Sequence, residues 1–204
     1  MLGSHNSLTF GNTKWYFRIF NIWAKCQSNS IFIQYNKGCR YFDFRIKLTD
    51  TGIQAAHGIV KYDTDIYYYL GLLDLWSTKE DPVYVRLVME YNSIQSIQTE
   101  IEFEQIATKI LATYKNIIYY GIYFKYSLNE SHNLVGITDK NYNINLIPYK
   151  FKKINTVDKY SSVTGWKQIF LFPWLYAKLY NKKILNQYNN IIEDKNNVLL
   201  IDFV

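Results

Sequence analysis

The chain is poor in the residues that break, hinge or staple a fold. Three prolines and nine glycines in 204 residues leave no linker, low-complexity tract or internal repeat, so one domain over 1–204 is expected. Cys26 and Cys39 are the only cysteines, too few for a disulfide framework, and whether they pair is left open. No apolar run approaches the roughly 20 residues that span a bilayer. No cleavable leader is expected, since the first motif residue arrives within five positions. Compartment is therefore left unknown. Histidine occurs three times, as His5, His57 and His132. The last lies in a polar stretch, Asn129 to Asn133, and reads as surface.

What is present is apolar and aromatic. Hydrophobic residues make up 49% and aromatics 18% of the chain, which excludes disorder and supplies a sizeable core. The net charge of +6 raises nucleic acid as a partner. The basic residues are scattered, however, with only Tyr149 to Lys153 clustered, and no nucleic-acid motif is found. Weak attraction to an anionic lipid surface is the better use of that charge. Nothing asks for a second copy, so a monomer is expected.

Alternating apolar periods predict an α/β barrel, a small distorted TIM-type (β/α) fold. A short strand ends at His5, and Lys14 to Cys26 is helical. Strands are expected at Gly38 to Ile46, Val83 to Glu90, Ile117 to Phe124, Leu134 to Thr138, Ile144 to Tyr149, Ile154 to Tyr160, Ile169 to Phe172 and Val198 to Phe203. Helices are expected at Ile66 to Trp76, Ile101 to Tyr114 and Trp174 to Tyr188. Against a typical length of about 250 residues the chain is short, and with almost no residues before His5 the barrel is expected either to be open at its first strand or to have a clipped start.

Gly38 to Gly58 carries the most chemistry. Period two along the aromatic strand puts Asp43 and Arg45 on one face, among residues that otherwise want burial. Two opposite charges there are costly unless they pair and serve something. His57 follows the Thr49-Asp50-Thr51-Gly52 turn, close enough in sequence to fold back beside them. His5, in Gly3-Ser4-His5-Asn6-Ser7, reads as a strand end opening into a loop. Two imidazoles and a guanidinium are a minimal metal-free set for cleaving a phosphodiester: one removes a proton, one donates a proton, and the cation steadies the phosphorane. Asp202, after Leu199-Leu200-Ile201, needs a buried partner, and His5 is the obvious one.

These residues resemble the phosphatidylinositol-specific phospholipase C X-domain family, most closely its bacterial metal-independent type. Gly3 to Ser7 is similar to that family's Gly-Thr-His-Asp/Asn-Ser opening. Trp23-Ala24-Lys25-Cys26-Gln27, Gln34 and Gly38 to Arg45 resemble its W-A-x-x-Q … Q-x-x-x-G-x-R-x-F-D-x-R block. His57-Gly58, Asp81 to Tyr91, Val157 to Tyr160, Pro173 to Asn181 and Val198 to Val204 follow in the family's order.

The resemblance implies a lyase-type phosphodiesterase. His5 would be general base on the inositol 2-hydroxyl, with Asp202 holding its ring. His57 would be general acid to the diacylglycerol oxygen, and Arg45 would bind phosphate, fixed by Asp43. Asn6, Asp158 and Tyr160 would contribute to the substrate site, Tyr160 by stacking on the sugar. No cofactor is implied. Asn6 matches a calcium ligand of the eukaryotic enzymes, which would pair it with Asp43, but Arg45 stands where those enzymes carry an acid. Val88 replaces a headgroup lysine of bacterial members, and no arginine matches their inositol-binding one. Another phospholipid or glycerophosphodiester headgroup, or a lipid-binding module without turnover, are the alternatives. Trp15, with Tyr16 and Phe17, and Trp174, after Phe172 and Pro173, are expected at a membrane-contacting rim, and Trp23 is expected to pack on the barrel.

Overall fold

Four strands carry the same period-two pattern, and it sorts their side chains onto two faces. The computed structural model describes residues 1–90, 97–124, 172–187 and 198–204. The parallel strands are β1 (Leu2–Ser4), β2 (Cys39–Thr49), β5 (Tyr84–Met89), β6 (Ile118–Phe124) and β7 (Leu199–Ile201). Across the sheet they run β6-β5-β2-β1-β7. Two antiparallel strands, β3 (Gly52–His57) and β4 (Val60–Lys61), grow from the far end of β2 as a hairpin.

The outer face of the sheet is the core. Phe42, Phe44 and Ile46 on β2 and Val85, Leu87 and Met89 on β5 pack in one cluster with α3 (Ile66–Trp76) and α4 (Ile97–Thr113). Each helix supplies its buried stripe at i, i+4, i+7: Ile66, Leu70 and Leu73 on α3, and Phe103, Ala107 and Ile110 on α4. Asp65 starts α3 by accepting the Tyr68 N–H at 3.0 Å, an N-cap that satisfies one of the free first-turn donors. The inner face begins with an apolar floor of Met1, Tyr41, Tyr84, Val198 and Leu200. Gly3 belongs to that floor: a Cβ there would meet Leu200 Cδ2 at 2.6 Å and Val198 Cγ1 at 2.8 Å. Two residues further along each strand, the same face carries His5, Asp43, Arg86 and Asp202.

The expected α/β architecture is present, with sharper local detail. The helix expected from Lys14 divides into a 3-10 turn, Trp15–Phe17, and α1 (Arg18–Ala24). A further helix, α2 (Ile31–Asn36), and the β3–β4 hairpin were not foreseen. The last long helix, α5, spans Pro173–Gln187. Among the described residues the sheet does not close: its parallel strands end at β6 and β7, and its hairpin at β4. The expected distorted, open barrel is present, and β1 itself is hydrogen-bonded along both edges, to β2 and to β7. The strands expected at 134–138, 144–149 and 154–160 lie outside the described residues. Cys26 and Cys39 are both free and buried.

Candidate active site

His5 leaves the end of β1 and Asp202 the end of β7, so the pairing of those two strands sets the two side chains side by side. His5 Nδ1 lies 2.7 Å from Asp202 Oδ1, and Arg45 Nη2 lies 3.0 Å from His5 Nε2. A guanidinium only donates, so Nε2 accepts, and the ring proton of the neutral imidazole sits on Nδ1, donated to Asp202. The lone pair of Nε2 thus faces the Arg45 guanidinium. Backbone strain marks the same place. Asn6 and Phe203, which directly follow the pair, adopt φ of 47° and 52°. Asn tolerates this left-handed conformation; an aromatic residue does so at a cost.

The charged layer beneath is a chain of ion pairs. Asp43 is fully buried and accepts from Arg86 Nε at 2.8 Å and Arg45 Nε at 3.1 Å. Burial opposes its charge, yet Arg86 and then Arg45 hold the carboxyl well below the usual carboxylate range. Arg45 also donates to Glu90 Oε1 at 3.1 Å; Asp43 and Glu90 overcome its desolvation and keep it firmly protonated. Sequence reasoning missed Arg86 and Glu90. Their signal was the one that revealed Asp43 and Arg45: Arg86, Val88 and Glu90 alternate along a strand buried throughout, and Arg86 is the register partner of Asp43.

The hairpin brings His57 back over this layer, as the turn composition predicted. Its ring centre lies 6.3 Å from that of His5, edge to face. His57 Nδ1 is 2.7 Å from the Ala24 carbonyl, which only accepts, so Nδ1 carries a proton and Nε2 is the exchangeable position. Burial, then the nearby Arg45, pushes its pKa down to about 4, with Glu90 pulling the other way. Asn6 lies between the rings: its Nδ2 is 3.3 Å from His5 Nε2 and 3.4 Å from His57 Nε2, while its backbone N–H donates to Asp43 at 3.2 Å. Gln27, buried and missed as a site residue, donates to the carbonyls of His5 and Ile201 at 3.0 Å each and accepts the Val204 N–H at 3.1 Å. It clamps the ends of β1 and β7 together.

The calcium alternative does not fit this donor set. Both oxygens of Asp43 face guanidinium groups, so an ion there would sit against two fixed cations. Asp158 and Tyr160 lie outside the described residues. Trp15 is 78% exposed and Trp174 46%. Trp23, expected to pack on the barrel, is instead 39% exposed and meets Phe172 edge to face at 5.6 Å, because α1 buries only Ala24. No helix among the described residues is long and apolar enough to cross a membrane.

No family model matches the chain, and no curated protein matches it in sequence. Solved structures do. The phosphatidylinositol-specific phospholipase C from Listeria monocytogenes is similar over 100% of this chain and 87% of its own, at a TM-score of 0.64 and 17% identity. A Staphylococcus aureus phosphatidylinositol-specific phospholipase C is similar over 100% and 85%, at 0.63 and 15%. A variant of the S. aureus enzyme gives 100% and 84%, at 0.63 and 18%. The chain has the mixed α/β, open-barrel fold of the bacterial phosphatidylinositol-specific phospholipases C.

Proposed function

We propose that this protein is a metal-free phospholipid phosphodiesterase that splits phosphatidylinositol-type lipids into diacylglycerol and a cyclic inositol phosphate. One observation carries the reading: the lone pair of His5 Nε2 faces Arg45, with Asp202 behind the ring and a second imidazole across the gap. His5 Nε2 takes the proton of a ring hydroxyl, whose oxygen attacks phosphorus. The phosphorus–glycerol oxygen bond breaks, and His57 Nε2 protonates the departing oxygen. Arg45, pinned by Asp43 and Glu90, binds the phosphate oxygens and follows their growing charge. His57 is neutral in the free site at pH 7, and the negative charge of a bound phosphodiester supplies the field that lets it carry a proton. By resemblance, Asp158 and Tyr160 hold the sugar. The exposed Trp15, Phe20, Trp23 and Trp174 suit contact with a lipid surface.

A second reading changes only the headgroup. Val88 is buried on the site-facing period of β5 and offers no cation to an inositol hydroxyl or ring phosphate, which favours a smaller or differently substituted alcohol. Arg45→Ala tests both readings. Turnover should fall by about 10²–10³-fold or more, with vesicle binding kept. Undiminished turnover would overturn the mechanism, and absence of turnover in the parent protein on any phospholipid would leave a binding module.

A further inference from the structure

Cys26 has no part in the mechanism above, yet it sits inside the site. Its thiol is 1% exposed, and its neighbours are the Asn6 amide at 3.3 Å, the Ala24 carbonyl at 3.6 Å and His57 Nδ1 at 3.7 Å. One ligand atom each from His5, Cys26 and Asp202 falls within 4.8 Å of the other two. A second observation points into the same space: the Asp202 carboxylate interacts with the Cys26 thiol, and its Oδ2 is fully buried with no N–H or O–H donor, although Oδ1 is bonded to His5. We propose that His5, Cys26 and Asp202 form an inhibitory site for a thiophilic divalent cation of the zinc class, built directly on the general base.

The donor chemistry selects the ion. Nitrogen, thiolate and carboxylate in a tight cluster suit four-coordinate zinc or cobalt, with the fourth place left to water or to His57. Calcium and magnesium want six or more oxygens, which this cluster does not have. Binding forms a sulfur–metal bond and releases the thiol proton to water. Burial, then Asp202, raises the pKa of that thiol, so metal binding bears the cost of ionising it. Once formed, a thiolate and a carboxylate neutralise the ion's two charges in a buried place. Arg45 lies directly against His5, and Asp43 and Glu90 already offset its charge.

The ligands are held in advance. The Cys26 N–H donates to Thr9 Oγ1 at 3.0 Å, and its carbonyl accepts the Phe203 N–H at 2.6 Å. The segment is thus tied on one side to the loop after His5 and on the other to the residue after Asp202. An ion arriving past the partly exposed His57 would engage the His5–Asp202 pair, so the base would lose either its lone pair or its orienting partner. The binding stands on ligand geometry alone; the inhibition rests on the reading of His5 as general base.

Cobalt titration of the full chain, followed by absorption, tests the site without reference to turnover. The expected result is one equivalent bound, with a near-ultraviolet thiolate-to-cobalt charge-transfer band that is kept in Cys39→Ser and lost in Cys26→Ser. Zinc affinity, measured against a chromophoric chelator, should fall at least about tenfold in Cys26→Ser. A cobalt complex of the parent protein without that band overturns the site, whether or not any variant folds. So does an unchanged band in Cys26→Ser. On phosphatidylinositol vesicles, micromolar zinc should suppress turnover at least tenfold and EDTA should restore it, with Cys26→Ser resisting zinc relative to its own zinc-free rate. Metal binding as expected, with turnover indifferent to it, would overturn the inhibition and the role of His5 while leaving the site in place.

Discussion

Asn6→Asp addresses the weakest point of the catalytic arrangement, the acid strength of His57. The substitution is sterically quiet: Asp tolerates the left-handed backbone at this position much as Asn does. It places a carboxylate where the Asn6 amide now lies, 3.4 Å from His57 Nε2. Two unit charges at that distance attract by about 5 kcal/mol at an effective dielectric of about 20. Sharing of the new charge with His5 and Arg45 reduces this, and a rise of about 2 pKa units is expected. The imidazole would then move from about 4 to about 6. At pH 7 the protonated fraction of the free enzyme would grow from about one in a thousand to about one in ten. Roughly half the gain on the logarithmic scale is returned, because a higher pKa makes a less potent acid. The net expectation is about a tenfold rise in kcat/KM at pH 7. The assay is the pH profile of kcat/KM on a soluble short-chain substrate, since that constant reports the free enzyme's groups. The falling limb, where the acid deprotonates, should move to higher pH by about two units. A limb that stays in place would refute the assignment of His57 as the acid.

Other expectations follow from single contacts. Arg86→Met leaves Asp43 buried with one cation fewer and should cost about 3–5 kcal/mol in denaturant unfolding; a loss under 1 kcal/mol would mean that Arg45 alone satisfies the carboxylate. Gln27→Ala removes three hydrogen bonds, two of them buried, across the ends of β1 and β7. It should lower kcat more than it raises KM, because it displaces the base without touching substrate, and an effect confined to KM would contradict that role. His57 also links pH to stability. Its folded pKa is depressed from 6.5 to about 4, so the folded state resists protonation. No stability is lost above pH 6.5, and a penalty of up to about 3 kcal/mol accrues as pH falls to 4. His57→Gln should flatten that part of the stability curve. Replacing Trp15 and Trp174 by alanine should weaken vesicle binding and spare cleavage of a soluble substrate; equal losses on both would place these residues in the fold or the site rather than at a membrane.

The parts of the site that could be read in advance were those where charge violates an apolar period. Asp43 and Arg45 stand out on a strand of Tyr, Phe and Ile, and Asp202 ends a run of Leu and Ile. Arg86 and Glu90 violate the pattern equally, but their strand drew attention for its Val88 instead. The β3–β4 hairpin was hidden because Gly52 to His57 is short and its buried residues are alanines, which carry little strand signal. Placing His57 therefore depended on the turn before it. Gln27 and Cys26 were legible only as motif letters. Their roles come from three chain segments meeting, β1, the stretch after α1 and β7, and no local period announces such a meeting. The exposed side of α1 was misjudged at Trp23 because an apolar stripe reads alike whether it faces a barrel or a lipid.

Phosphorus NMR of phosphatidylinositol vesicles incubated with the protein in EDTA tests the central claim most directly. The expected result is a cyclic phosphodiester resonance that grows with time, undiminished by EDTA and absent with Arg45→Ala. A resonance abolished by EDTA would contradict the metal-free mechanism, and no resonance from the parent protein would contradict phosphatidylinositol as its substrate.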